Sequence, residues 1–273
     1  VLPTADVPPA LAVPALAAET VIVELPMTAS YLPQTRALLR ATAHGHAVAN
    51  GFSGYDAPHF AALRDGFRHR DATVIDALRQ TAPLAAFVNA IDDIDGAERA
   101  WLEAAGGQLL STGAEGTWLY WPRQNRPLPE VQRWATVTGI SASPDPDAAP
   151  AMNDDRLRSR WTTDRPQRAG SRIAVVVDGD QDIAGVQLQL GAWIGDFPAR
   201  LDILARTADG QDLLVWHGSV RGLAVRGILR DPLTAPIDIY FDQPVRASAL
   251  TLTNNATDQE RAWSVAELRV IRR

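Results

Sequence analysis

The 273 residues include no cysteine. That single absence excludes disulfides, thiolate metal centres and cysteine nucleophiles. There is no lysine either, so all 26 positive charges are arginines, whose planar fork suits carboxylates and sugar hydroxyls. No apolar run reaches the roughly 18 residues that a membrane-spanning helix needs. Positive charge is in deficit: the net charge is −6, which argues against a nucleic-acid partner, since that calls for a basic face. No glycine loop of the phosphate-cradling kind occurs. What is present, 46% hydrophobic and 21% charged residues, is the composition of a packed chain long enough for one large domain or two ordinary ones.

Texture divides the chain. Residues 1–20 are apolar, rich in Ala and Pro, and lack the basic start of a signal peptide. They read as a Pro-stiffened leader, or alternatively as a tail running off an upstream membrane helix. Over 21–122 strand and helix patterns alternate. Val21 to Leu25 is a β-rich run stopped by Pro26, and Gln34 to Ala43, Ala57 to Phe67, Ala72 to Thr81 and Gly96 to Ala105 read as helices. Ala85 to Asn89 reads as a buried strand, and Gln108 to Leu110 with Thr117 to Trp121 as a closing hairpin. This predicts a small α/β domain. Residues 123–134 form a polar, Pro-rich linker. Over 135–273 short apolar strands recur between Gly, Asp and Pro clusters: Ile173 to Val177, Val186 to Leu190, Arg200 to Arg206, Leu213 to His217, Ile237 to Phe241, Ala249 to Thr253 and Leu268 to Ile271. That spacing predicts an antiparallel β-sandwich.

Three constellations in the first domain bear on chemistry. His44-x-His46 would place two imidazoles on one strand face, with Asp56 and His59 as further ligands of a metal-dependent enzyme; the alternative is histidines serving turn hydrogen bonds. Asn50-Gly51-Phe52-Ser53-Gly54 has a serine between glycines, but lacks the spacing and preceding strand of a nucleophile elbow. Asp92-Asp93-Ile94-Asp95 reads as a solvated loop and helix cap.

The second half carries a series of short pieces in order. They are Ile140-Ser141-Ala142-Ser143, then 154–161 ending in Ser159-Arg160-Trp161, Gln167 with 170–173, 185–191, 196–201, Ala208-Asp209-Gly210, and 263–268, which begins Trp263-Ser264 and ends Glu267-Leu268. This series resembles a discoidin, or coagulation factor 5/8 type C, domain, a jelly-roll sandwich shared with many carbohydrate-binding modules. The resemblance implies a ligand-binding sandwich without a catalytic centre, whose loops meet a glycan. It implies ligand contacts at Trp193, Trp161, Arg160 and Gln167, with Trp193 foremost because its loop 191–195 has no structural need of an indole. Trp193, Trp161 and Trp216 are the exposed-aromatic candidates, and the alternative for each is a core role, since Trp161 and Trp263 match packing residues of the family.

The resemblance also implies a structural Ca2+ held by Asp154, Ser159 and Glu267, hard oxygen donors on loops. Asp155 stands where the family usually has glycine, which puts the turn in doubt. In the alternative, Ser159 caps a turn and Glu267 pairs with Arg160.

In the first half, Glu24-Leu25-Pro26 followed by 44–55 resembles a soluble segment of bacterial polytopic membrane proteins of the lipid-linked-sugar glycosyltransferase type. The resemblance implies an extracytoplasmic, periplasmic region attached to the inner membrane through the rest of its parent, with a glycan or lipid-linked sugar as partner. A purely structural or protein-interaction module remains the other expectation.

Overall fold

In a computed structural model of the chain, residues 11–27, 30–51, 56–125, 133–164 and 166–273 are described; Ser53, with the 52–54 turn, lies outside them. The chain divides into two compact units, Val1–Arg126 and Pro127–Arg273.

The first unit is a four-stranded sheet with helices. Strands β1 (Val21–Leu25), β2 (Leu84–Asn89), β3 (Gln108–Thr112) and β4 (Gly116–Trp121) run in the order β1-β2-β4-β3. β1 and β2 are parallel, so the chain between them must cross over. It does so through α1 (Tyr31–His44), α2 (Phe60–Arg68) and α3 (Thr73–Arg79). A fourth helix, α4 (Ala97–Ala104), precedes the β3–β4 hairpin. α1 stops at Gly45, whose left-handed φ of 74° lets its N–H reach the Ala41 carbonyl at 2.9 Å. The α4 start is capped as the acidic run suggests. Asp93 accepts the Glu98 N–H at 2.8 Å and the Arg99 N–H at 3.1 Å, and Asp95 accepts the Ala97 N–H at 3.1 Å. β2 is buried nearly throughout, as a central strand covered on both faces must be.

The second unit is an antiparallel β-sandwich. It contains β5 (Arg133–Trp134), β6 (Val137–Ser143), a 3-10 helix (Pro146–Asn153), β7 (Trp161–Thr162), β8 (Arg172–Gln189), β9 (Arg200–Thr207), β10 (Asp212–Ser219), α5 (Arg221–Arg230), β11 (Pro236–Asn254), β12 (Ser264–Val265) and β13 (Glu267–Arg272). Two long strands organise it. The 172–177 end of β8 pairs with β6 and with the 249–253 end of β11, which continues to β9 and β10. The 185–189 end of β8 pairs instead with the 236–240 end of β11 and with β13, which continues to β5. Each pair of short strands anticipated here is therefore one long strand, and the polar, exposed middle of β8 lies where its pairing with β11 shifts register. β9 alternates as a one-face-buried strand should, with Leu201, Ile203 and Ala205 turned inward. Trp161 and Trp263 meet edge to face in the core, ring centroids 5.1 Å apart.

α5 is an addition to the strand-only expectation for this half. Its Gly222 and Gly227 each weaken a helix by about 1 kcal/mol relative to alanine, so local propensity hides it. Packing explains Gly227: a Cβ there would come within 2.1 Å of the Pro236 carbonyl oxygen on β11.

Candidate functional site

Pairing of β7 with β12 brings Trp161-Thr162 against Ser264-Val265 at one end of the sandwich. The loop after β8 folds over the same end. Its turn is held by the Trp193 N–H on Leu190 O at 3.2 Å and the Asp196 N–H on Trp193 O at 2.9 Å. These elements line a pocket of about 480 Å³ with Arg160, Thr162, Asp164, Trp193 and Asp196 around it.

Trp193 and Arg160, two of the four residues expected to meet a ligand, come together here. The guanidinium carbon of Arg160 sits 4.4 Å from the centroid of the Trp193 ring, a cation–π contact. Arg160 Nη1 donates to Asp196 Oδ2 at 3.1 Å, and the same oxygen accepts the Ser264 hydroxyl at 2.9 Å. Arg160 is thus fixed from two sides, and it in turn fixes one side of a half-buried indole. Asp164, Asp196 and Thr162 were not singled out from the sequence. The signal for Asp196 was its place in the loop of Trp193, three residues on.

The other two expected contacts are corrected by burial. Trp161 is 0% exposed and donates its indole N–H to the Pro144 carbonyl at 2.7 Å, so it is a core residue. Gln167 is also 0% exposed. Its amide donates to Phe197 O at 2.8 Å and Ala262 O at 2.7 Å, and its carbonyl accepts from Ala199 N and Asn254 Nδ2. Gln167 ties three loops together and has no group left for a ligand. Trp216 is half-buried on β10 and does not line this pocket.

Asp154, Ser159 and Glu267 do converge. The Arg156 N–H donates to Asp154 Oδ1 and to Glu267 Oε1, at 2.9 Å each, so the two carboxylates face one point. Ser159 donates its hydroxyl to Asp154 Oδ2 at 2.7 Å. Burial raises the Glu267 carboxyl above its ordinary value, and the Asp155 and Asp154 charges push it the same way. Two carboxylates and a hydroxyl drawn together are the hard donors a Ca2+ takes, so the residues fit that ion, with main-chain oxygens needed to complete its shell. Asp155 adopts φ 58°, the left-handed turn that the expected glycine would supply, so the turn survives the substitution. Glu267 does not pair with Arg160, whose partner is Asp196.

In the first unit the His44 and His46 rings lie 5.7 Å apart. His44 Nδ1 accepts the His46 main-chain N–H at 3.1 Å. Burial, then His46, lower its pKa. His59 donates Nε2–H to Ala49 O at 3.2 Å. Among the described residues no group of three or more His, Asp or Glu side chains is placed to hold a metal. The metal-enzyme expectation for 44–59 therefore gives way to histidines serving turn hydrogen bonds.

No family model matches the chain, and no curated protein does. Solved structures resemble its second half. One is the truncated AlyQ with CBM32 and alginate lyase domains: identity is 16%, the TM-score 0.40, and the match covers 52% of this chain and 33% of that one. Another is the family 32 carbohydrate-binding module from C. perfringens NanJ in complex with galactose, at 18% identity and TM-score 0.38, covering 49% of this chain and 92% of that one. A third, the CBM32 of AlyQ in complex with 4,5-unsaturated mannuronic acid, has 14% identity and TM-score 0.40, covering 50% of this chain and 97% of that one. The sandwich itself stands on the strand pairing given above.

Proposed function

We propose that the sandwich unit binds a glycan in the pocket lined by Trp193, Arg160, Thr162, Asp164 and Asp196, and performs no chemistry on it. The observation that carries this reading is the half-buried Trp193 ring, braced by Arg160 in an open pocket whose other walls offer carboxylates and a hydroxyl. An aromatic face takes the apolar face of a sugar ring, while the polar groups take its hydroxyls. Titrating the chain with a panel of glycans while following the Trp193 indole tests it. A saturable shift supports the reading, and an indole that ignores every glycan removes it.

The loop of Asp154, Ser159 and Glu267 we assign to a structural Ca2+ that steadies the sandwich. The chain belongs, in this reading, to the periplasmic part of a bacterial membrane protein of glycosyltransferase type. Support for that comes from the resemblance of Glu24-Leu25-Pro26 and 44–55 to such segments. Fractionating cells that express the full native gene tests it: recovery of the chain's sequence in the inner membrane supports the placement, and recovery in the soluble cytosol contradicts it. A second reading, a protein-interaction module, is favoured by β10, an edge strand on which Leu213 and Leu214 are about half exposed, at 51% and 49%.

A further inference from the structure

The charge around the Trp193 pocket narrows what it can take. Among the described residues three formally charged side chains line it: the carboxylates of Asp164 and Asp196 and the guanidinium of Arg160, a formal sum of −1. Arg160 is already committed, donating to Asp196 Oδ2 at 3.1 Å and lying against the Trp193 ring at 4.4 Å. Of its fork only Nη1 is engaged by the described residues, and Asp196 holds it beside a carboxylate that an incoming anion would have to approach. Asp164 is exposed at the rim, and its carboxylate accepts no hydrogen bond from the described residues. The second oxygen of Asp196, Oδ1, likewise accepts none from them.

We infer that the pocket selects neutral sugars and rejects uronates, sialates and phosphorylated glycans. This rests on the glycan-binding reading and adds the class of sugar to it. The physical basis is the difference between a hydroxyl and a carboxylate as partners. A sugar hydroxyl donates its proton to Asp164 or to Asp196 Oδ1, a charge-assisted bond, and carries no charge of its own. A sugar carboxylate has no proton to donate at neutral pH, and it brings a second negative charge beside Asp164. The cation in the pocket is Arg160, whose Nη1 already carries Asp196 Oδ2, so a sugar carboxylate would meet that guanidinium with the Asp196 carboxylate beside it. The apolar side of the pocket, Ala192, Ile194 and Ala262 with the indole, is suited to the C–H face of a pyranose.

Matched sugars test this on the full chain. The methyl glycosides of glucose, galactose and mannose are each titrated against the corresponding hexuronate, with the Trp193 indole resonance as the readout. At low salt at least one neutral member should bind about tenfold or more tighter than its acidic partner. Asp164→Asn should narrow that gap, as should added salt, because an exposed carboxylate acts through a screened field. Equal or tighter binding of the acidic members overturns the selectivity while leaving glycan binding intact. A Trp193 resonance unmoved by all six sugars overturns the glycan reading itself, and this inference with it.

Discussion

The Arg160 guanidinium lies across the face of Trp193 while its Nη1 is held by Asp196, so a residue before β7 and two residues of the loop after β8 form one unit. Arg160→Ala should loosen both partners. Exposed ion pairs and cation–π contacts contribute only about 0.5–1 kcal/mol each, so the melting temperature should fall by a few degrees at most. Glycan affinity should fall further than stability, because the indole loses its brace. Thermal melts alongside titrations separate the two effects; a large stability loss with unchanged affinity would place Arg160 in the framework alone.

Trp161→Ala should behave in the opposite way. The side chain is wholly buried against Trp263, and removing an aromatic from such a position costs about 3–5 kcal/mol. Denaturant unfolding of the sandwich should register that loss. Gln167→Ala should also destabilise, by about 1–3 kcal/mol for each buried group left unpaired. Variants of either residue that fold normally but lose glycan binding would restore the contact role that burial argues against.

Calcium and pH should be linked through Glu267. Its carboxyl is raised above the ordinary 4.5 by burial and by Asp155 and Asp154. A raised acid contributes stability that is fully present below its unfolded value and is lost as pH rises through the folded one. In EDTA the sandwich should therefore lose stability as pH climbs upward from about 4.5, and Glu267→Gln should flatten that loss. Adding Ca2+ should raise the melting temperature of the wild type near neutral pH and leave Glu267→Gln unmoved. A wild-type melt indifferent to both EDTA and Ca2+ would remove the ion from this loop.

The first unit hides an ion pair whose loss should be severe. Arg40 Nη1 donates to Glu24 Oε2 at 2.6 Å, with both side chains largely buried. Asn50 completes the knot, accepting the Glu24 N–H at 2.9 Å and donating to Glu24 O and Gln34 Oε1 at 2.8 Å each. Arg40→Met strands a buried carboxylate and should cost about 3–5 kcal/mol, whereas Arg40→Met with Glu24→Leu should recover much of it. Guanidinium unfolding of the two variants checks the difference. Equal losses in both would show that the pair carries no coupling.

Much of the fold was legible because its signals are local. β1 ends at Pro26, α1 ends at Gly45, and the Asp93 and Asp95 cap opens α4, each dictated by residues a few positions away. The antiparallel sandwich was legible from alternation, since each half of β8 and β11 carries its own apolar pattern. That the halves join was not legible, because the polar middle of β8 has the composition of a turn and only long-range pairing keeps it extended. α5 was hidden for a related reason: its glycines answer to Pro236 on another element rather than to helix propensity. At the pocket, Trp193 and Arg160 were found but Asp164 and Asp196 were missed, since a carboxylate in a loop looks the same whether it faces solvent or a ligand. Trp161 and Gln167 show the converse. Both side chains can hydrogen-bond, Trp161 on the short strand β7 and Gln167 in a loop, yet all their hydrogen-bonding groups are consumed inside the protein.

The most direct measurement is calorimetric titration of wild type and Trp193→Ala with the neutral sugars, with a thermal melt of each protein in the same buffer. Wild type should bind, and the variant should lose about thirtyfold in affinity, the equivalent of a contact of about 2 kcal/mol, at an unchanged melting temperature. Equal affinity in the two proteins, or no binding by the wild type, would contradict glycan recognition at this pocket.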